Sequence, residues 1–231
     1  MPKLDFRVVG AESLPFTAAP LLIFKLRITH AAEDRTTIAS IHSIALRCQI
    51  RIEPARRRYS VQEQERLLDL FGEPARWGQT LRSTLWTHTN VTVPPFTDHI
   101  VADLPVPCTF DFNVAAAKYF YALEDGLVPL CLLFSGTVFY AAEDGALQVA
   151  QIPWDKEATF ELPVRVWKEM MDHYYPNSVW LCLRKDVFDR LYQYKSRHSL
   201  PTWEQALESL LPATDSPPSP VPNAGEGRGE S

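Results

Sequence analysis

Three consecutive arginines, Arg56–Arg58, form the longest run of basic residues in the chain. They follow a stretch in which Ile50 and Ile52 alternate with Arg51, and they precede Ser60. Guanidinium groups bind carboxylates and phosphates through paired hydrogen bonds, so such a run is suited to an acidic partner. A solvated turn at the end of a strand would contain the same residues. Both interpretations stay open at this point.

Charge is unevenly distributed along the chain. Residues 21–60 hold eight Lys or Arg and three acidic residues, a net charge of +5, whereas the rest of the chain carries −10. If the two early predicted strands are neighbours, their basic residues share one solvent face, which would attract an acidic protein partner. Nucleic acid is a weaker interpretation, because no RNP, KH or helix-turn-helix signature accompanies the charge. The predicted partner-binding face consists of Lys25, Arg27, Arg47, Arg51, Arg56, Arg57 and Arg58.

A second group of residues could form a pocket for a small ligand or a metal, with or without catalysis. It consists of Trp86, His88, Asp98 and His99. Imidazole and carboxylate groups are metal ligands and acid–base groups, but the chain has no HxH, HExxH or CxxC spacing. It also lacks a GxSxG elbow, a Walker loop and a GxGxxG loop. We therefore predict no catalytic residue, no metal and no cofactor, and favour a non-enzymatic protein.

The cysteines and the chain start favour a cytoplasmic location. The N-terminal residues are polar and contain no apolar signal region. The 17 uncharged residues of 126–142 contain Pro129 and Gly136 and end in a turn, which indicates a strand rather than a membrane span. Widely spaced cysteines predict small buried side chains in a reducing compartment. These are Cys48, Cys108, Cys131 and Cys182.

A hydrophobic period of two predicts half-buried strands over most of residues 5–112. The clearest runs are 22–28 and 44–52, each with one apolar and one basic face. Ser60 and Glu63 form an S-x-x-E capping box that predicts a helix over 61–71. A strand is predicted over 81–93, and an edge strand over 100–112 because Pro105 and Pro107 interrupt it.

Further elements follow towards the C-terminus. The aromatic run 110–121 is predicted to pack in the core, and the alternative is that it lines a pocket or an interface. The later predicted elements are a hairpin of 127–140 with 146–152, a strand over 159–162, a helix after Pro163, a buried strand over 179–183, and helices over 186–198 and from Thr202. Residues 212–231 hold five prolines and almost no apolar side chains, which predicts a disordered tail.

Together these patterns predict an α+β, mainly β protein. The expected architecture is an antiparallel β-sandwich of the immunoglobulin/C2-like kind, with helices packed at the C-terminal end. A single globular domain is predicted over residues 1–211, with the sandwich in 1–162 and a mainly helical part in 163–211.

Three blocks of the sequence carry a family resemblance. They are RRRYSVQEQERLLDLFGEPARWGQTLRSTLW (56–86), LPVPCTFDFNVAAAKYFYALEDGLVPLCLLFSGTVFY (104–140) and LPVRVWKEMMDHYYPNSVWLCL (162–183). The chain resembles an uncharacterised bacterial domain-of-unknown-function family whose genes often lie near [NiFe]-hydrogenase clusters. That resemblance implies an accessory role with a protein partner, such as a hydrogenase component, and it supplies no catalytic residues.

Overall fold

A computed structural model describes residues 2–31, 38–109, 114–142, 144–179 and 181–211. The chain separates into two compact units, Met1–Val179 and Trp180–Ser231, and each is described by itself. The single domain predicted over 1–211 stays a prediction. The predicted disordered tail lies outside the described residues.

The first unit contains two antiparallel sheets. In the described residues the strands are β1 (Leu4–Ser13), β2 (Leu21–His30), β3 (Ile38–Ile52), β4 (Thr84–Val93), β5 (His99–Pro107), β6 (Leu127–Ala142), β7 (Leu147–Gln151) and β8 (Glu157–Pro163). The three-stranded sheet has the order β1-β2-β5. The five-stranded sheet has the order β4-β3-β6-β7, and β8 pairs with the other end of β6.

Alternation along the strands places one apolar face of each sheet in the core. In β3 the inward side chains, from Ile44 to Ile52, are almost completely buried, whereas Arg47 between them is exposed. The buried faces of the two sheets contact each other, because the Phe6 ring stacks on Phe134 with centroids 4.6 Å apart. Burial of such faces is the main driving force of folding, at roughly 25 cal/mol per Å² of apolar surface.

The longest strand, β6, contains a glycine that its neighbour requires. Gly136 lies opposite Leu46 of β3 and has φ +139°, which side chains rarely adopt. A Cβ atom at this position would lie 2.1 Å from the carbonyl oxygen of Ala45. The absence of a side chain at Gly136 therefore permits the close approach of β3 and β6.

Helices of the first unit cover one end of the sheets. They are α1 (Val61–Arg66), α2 (Leu68–Phe71), α3 (Trp77–Thr80), α4 (Val114–Ala122) and α5 (Val164–Tyr174). The predicted capping box is present, since Ser60 accepts from the Glu63 amide and Glu63 accepts from the Ser60 amide. The helix predicted over 61–71 is divided at Leu67 into α1 and α2.

Aromatic side chains join α4 to the sheets. Phe120 is fully buried and contacts Trp86 of β4 and Trp167 of α5, with centroid distances of 5.0 and 5.2 Å. Tyr119 beside it is also buried. The core role predicted for the aromatic run is thus confirmed at Tyr119 and Phe120 and is wrong for Tyr121, which is 60% exposed. Residues 110–113 lie outside the described part of the chain.

In its described residues, 181–211, the second unit contains the helices α6 (Lys185–Arg197) and α7 (Trp203–Glu208). Thr202 caps α7 by accepting from the Gln205 amide at 3.2 Å. The rings of Phe188 and Tyr192 contact Trp203, which joins the two helices. The buried strand predicted over 179–183 is wrong for the described residues, which are exposed and belong to no strand.

The prediction of a mainly antiparallel β protein with helices is confirmed, with 42% strand and 30% helix among the described residues. The immunoglobulin/C2-like assignment stays a prediction. β5, which contains Pro105 and Pro107, lies at a sheet edge as predicted. None of the described helices combines the length and the apolar character that crossing a bilayer requires.

Candidate partner-binding surface

The predicted basic residues lie on two different sheets. Lys25 and Arg27 belong to β2, the centre of the three-stranded sheet, whereas Arg47 and Arg51 belong to β3 of the five-stranded sheet. Because the buried faces of the sheets contact each other, their solvent faces point in opposite directions. β2 and β3 are therefore not neighbours, and the condition for one shared basic face is not met. Strand order depends on long-range pairing that local periodicity does not encode.

On the three-stranded sheet, acidic neighbours compensate the basic charge. Lys25 Nζ lies 2.8 Å from Glu12 Oε1 and 2.9 Å from Asp103 Oδ1, on the strands at either side. Hydrogen bonds to these two carboxylates raise the pKa of Lys25. Arg27 lies opposite Arg7 of β1. This face carries mixed charge rather than an uncompensated basic patch.

Arg57 is a buried structural residue. Its side chain is 8% exposed, and its Nη2 lies 2.6 Å from Oε1 of Glu63, which is 5% exposed. Nη1 donates to the Leu127 carbonyl at 2.8 Å, and Nη2 donates to the Asp125 carbonyl at 2.5 Å. Arg57 therefore links the segment after β3 to the segment before β6. The sequence predicts an exposed loop arginine at this position, and the structure shows a buried one.

The Glu63 carboxylate accepts hydrogen bonds from three donors. Besides Arg57, it accepts hydrogen bonds from the backbone amides of Ser60 and Glu124, at 3.0 and 2.9 Å. Burial acts to raise the pKa of Glu63, but the two amides and the Arg57 guanidinium together hold this pKa below its ordinary value. The ionised carboxylate is thus the form that the fold stabilises.

This ion pair predicts a specific pH dependence. Because the folded-state pKa of Glu63 is lowered, its contribution is complete above its ordinary pKa of about 4.5 and is lost as the pH falls through the folded-state value. We expect the difference in unfolding free energy between the wild type and Glu63→Gln to be largest at neutral pH and to shrink at pH 3. Urea unfolding at both pH values measures it. Glu65→Gln, on the exposed side of α1, is the control, and a pH-independent effect at Glu63 would contradict the prediction.

The other predicted arginines occupy the solvent face of the five-stranded sheet and its end. Arg51 donates from Nε to Ser83 Oγ at 2.7 Å and from Nη2 to the Ser83 carbonyl at 3.0 Å. Arg56 and Arg58 are exposed in the segment after β3. Arg47 is exposed, with its Nε 3.4 Å from Asn90 Oδ1. Over the described residues, no ion pair joins Arg47 to an acid.

Arg47 lies in an open depression of about 550 Å³ on this face. We call it the sheet-face depression. Gln151 of β7 donates to Thr137 Oγ1 of β6 at 3.1 Å across one side, and Gly136, without a side chain, is part of its lining. Among the described residues its polar lining consists of Arg47, Asn90, Thr92, Ser135, Thr137 and Gln151, none of which is acidic.

The residues of the alternative pocket are not brought together. Trp86 is buried between Phe24 and Phe120, whereas His88 is exposed on the same strand. Asp98 and His99 are exposed, and His99 begins β5 in the other sheet.

A hydrogen bond between β4 and β5 shows that His88 and His99 lie far apart. Thr89 Oγ1 donates to the Pro105 carbonyl at 2.6 Å, so the middle of β4 lies beside the end of β5. His99 is at the opposite end of β5, about 20 Å along the strand. The described residues contain no group of three or more His, Cys, Asp or Glu side chains able to hold a metal.

The cysteines do not form a site either. Cys48 and Cys108 are buried as predicted, and burial raises the pKa of each thiol to about 12. Cys131 is half-buried. Burial is the largest cause that raises the pKa of its thiol, and the carboxylates of Glu157 and Glu53 raise this pKa further. Cys182 is exposed, contrary to the prediction. The raised pKa values leave the thiols of Cys48, Cys108 and Cys131 protonated and weakly nucleophilic at neutral pH.

Sequence reasoning found Arg47 but missed the depression around it. The depression forms where β4, β3, β6 and β7 lie side by side, and this strand order is not visible in local patterns. One signal in the sequence is Gly136, because a glycine inside a predicted strand often marks a close approach of another backbone.

The fold and this surface define a mainly antiparallel β protein with an exposed polar depression whose lining includes Arg47. The chain belongs to a family of unknown function, DUF6084, whose family model matches residues 1–219. The predicted membership of a domain-of-unknown-function family is thereby confirmed, and the hydrogenase neighbourhood stays a prediction.

Other comparisons add little. No curated protein matches the sequence significantly. A crystal structure of a protein described as ApaA from Bordetella pertussis is similar with a TM-score of 0.22 and 13% identity, covering 70% of this chain and 93% of that one. A likeness of this size carries no argument about function.

Proposed function

We propose that this protein is a non-enzymatic accessory protein that binds an acidic protein partner through the sheet-face depression. The observation that supports this most directly is Arg47, an exposed guanidinium in a depression with no acid among its described lining residues. An immunoglobulin/C2-like sandwich would serve as the rigid scaffold that presents it.

The lining offers the groups that carboxylate recognition needs. A guanidinium binds a carboxylate with two parallel hydrogen bonds. The amides of Asn90 and Gln151 and the hydroxyl of Ser135 can donate further bonds around it. Arginine is enriched in the cores of protein interfaces, and exposed Arg56, beyond the end of β3, would help to steer an acidic surface during encounter. This combination favours an acidic segment of a folded protein partner.

The family resemblance supplies the first partner to examine. Members whose genes lie near [NiFe]-hydrogenase clusters imply a cytoplasmic accessory role, and a hydrogenase component or maturation protein is the partner that we infer. The surface recognises this partner by its charge, so the proposal does not depend on which component it is.

Charge reversal at Arg47 tests the proposed function. Partners would be captured on tagged wild-type protein from the native host, identified by mass spectrometry, purified and titrated back. We expect Arg47→Glu to weaken binding at least tenfold, about 1.4 kcal/mol, because it removes the guanidinium and repels the acidic partner. Binding should also weaken as salt increases.

The other sheet provides a matched control. Arg27 is an exposed arginine at the centre of the three-stranded sheet, and Arg27→Glu should leave binding nearly unchanged. Equal binding by Arg47→Glu and the wild type would refute the proposal. Loss of binding only in Arg27→Glu would move the site to the opposite face.

A further inference from the structure

The edge strand β7 presents free backbone groups and apolar side chains to solvent. It is the last strand of the five-stranded sheet on its side. Ala146 and Ile152 form hydrogen bonds with β6. The Ala142 amide donates to the Ala146 carbonyl, and the Ile152 amide donates to the Gly136 carbonyl, both at 2.9 Å. Hydrogen-bonded and non-hydrogen-bonded pairs alternate in an antiparallel ladder, so the amides and carbonyls of Leu147, Val149 and Gln151 point away from β6.

Charged residues or prolines mark three of the other edges. β1 carries Asp5 and Arg7, β5 carries Pro105 and Pro107, and β8 carries Glu157 and Glu161. Such residues discourage pairing between edges.

β4 and β7 differ in what lies beside them. β4 approaches β5 through the hydrogen bond from Thr89 to Pro105. In contrast, residues 145–152 contain neither charge nor proline. Leu147 is 63% exposed and Val149 is 57% exposed. Of the edges in the described chain, β7 is the one that carries no feature against pairing.

We propose that β7 pairs antiparallel with β7 of a second copy of this chain, about a two-fold axis at Val149. The inference goes beyond the proposed function and does not depend on it. In this register Val149 lies opposite Val149 of the second copy, and Leu147 lies opposite Gln151. These residues have outward amides and carbonyls, so the pairing forms about six backbone hydrogen bonds and joins two five-stranded sheets into one.

Self-pairing matches the composition of β7. In a two-fold interface the residue on the axis meets its own counterpart, and its near neighbours lie close to theirs, so a charge there would repel itself. Residues 145–152 contain none. A foreign strand would have no such requirement, which favours a second copy as the occupant.

Trp154 extends the same surface. It is 93% exposed in the turn that follows β7, where Lys156 N donates to Pro153 O. In the proposed register this turn lies beside the β6–β7 turn of the second copy at Asp144–Gly145. Tryptophan is enriched among residues that contribute most to interfaces. An indole at the rim would cover the end of the paired strands.

The size of the interface sets the expected strength. Five paired residues and two indoles give an area at the low end of specific interfaces, below about 1,200 Å². We expect a weak dimer whose population rises with concentration. Sedimentation equilibrium of the full chain should show an average mass that increases from one chain towards two chains.

Variants of Val149 test the geometry. Val149→Lys places two ammonium groups across the axis and should weaken dimerisation at least tenfold. Val101→Lys is the matched control, because Val101 is a 44% exposed valine on edge strand β5. A wild type that stays at one-chain mass at every concentration would overturn the proposal, as would equal association of Val149→Lys and the wild type.

A cysteine pair gives a second readout. In a Cys182→Ser background, two copies of Val149→Cys would have Cα atoms about 5.5 Å apart, within the range of a disulfide. We expect mild oxidation to cross-link this variant much faster than Val101→Cys. Equal cross-linking rates would reject pairing at β7, and retained dimerisation in Val149→Lys would assign the dimer to another surface.

Discussion

Arg57→Ala is expected to lower the free energy of unfolding by about 3–5 kcal/mol, the cost of removing one member of a buried ion pair. The carboxylate of Glu63 would remain buried with its two backbone amides but without its cation. The Leu127 and Asp125 carbonyls would lose their guanidinium donors as well. The Tyr59 ring, 5.7 Å from the guanidinium carbon, would lose a cation–π contact.

The neighbouring arginine makes the comparison stringent. Arg58→Ala removes the same side chain one residue later, from an exposed position, and should change stability by less than about 0.5 kcal/mol. Urea unfolding of the two variants and the wild type measures both effects. Equal losses at positions 57 and 58 would contradict the assignment of Arg57 as a structural residue.

Gly136→Ala is expected to be at least as damaging. A Cβ atom 2.1 Å from the Ala45 carbonyl oxygen cannot be accommodated without moving β3 or β6, and overpacking costs about 1–3 kcal/mol. The backbone at φ +139° adds about 1–3 kcal/mol for a residue other than glycine. We therefore expect poor yield of folded protein or a large fall in the unfolding midpoint.

Gly10 is the matched strand glycine. A Cβ atom there would meet nothing within 4 Å, so Gly10→Ala should leave the thermal midpoint nearly unchanged. Circular dichroism during heating compares the two variants. A Gly136→Ala protein as stable as Gly10→Ala would show that β3 and β6 do not approach as closely as described.

Local patterns predicted local structure well. The alternation over 44–52 identified β3 and its inward side, and the pair Ser60 and Glu63 identified the start of α1. Each of these depends on residues a few positions apart. Strand order depends instead on pairing between distant segments. The sequence therefore leaves open whether β2 and β3 are neighbours, and the structure places them in different sheets.

The run Arg56–Arg58 shows most clearly what local sequence patterns cannot predict. Arg56, Arg57 and Arg58 are chemically identical in the sequence, yet only the middle one reaches the buried carboxylate of Glu63. What distinguishes it is the position of the 125–127 segment, about 70 residues away in the chain. The site around Arg47 was likewise predictable as a charge and not as a depression, because its other walls come from β4, β6 and β7.

The place of β3 in the five-stranded sheet has a consequence for synthesis on the ribosome. β3 ends at Ile52, and its partner β6 begins at Leu127, about 75 residues later. At about 5–20 residues per second, one side of β3 remains without its partner for roughly 4–15 seconds. During this interval the nascent chain holds an apolar strand with an open edge. Its arginines at 47 and 51 then serve as gatekeepers that keep newly made chains from joining one another.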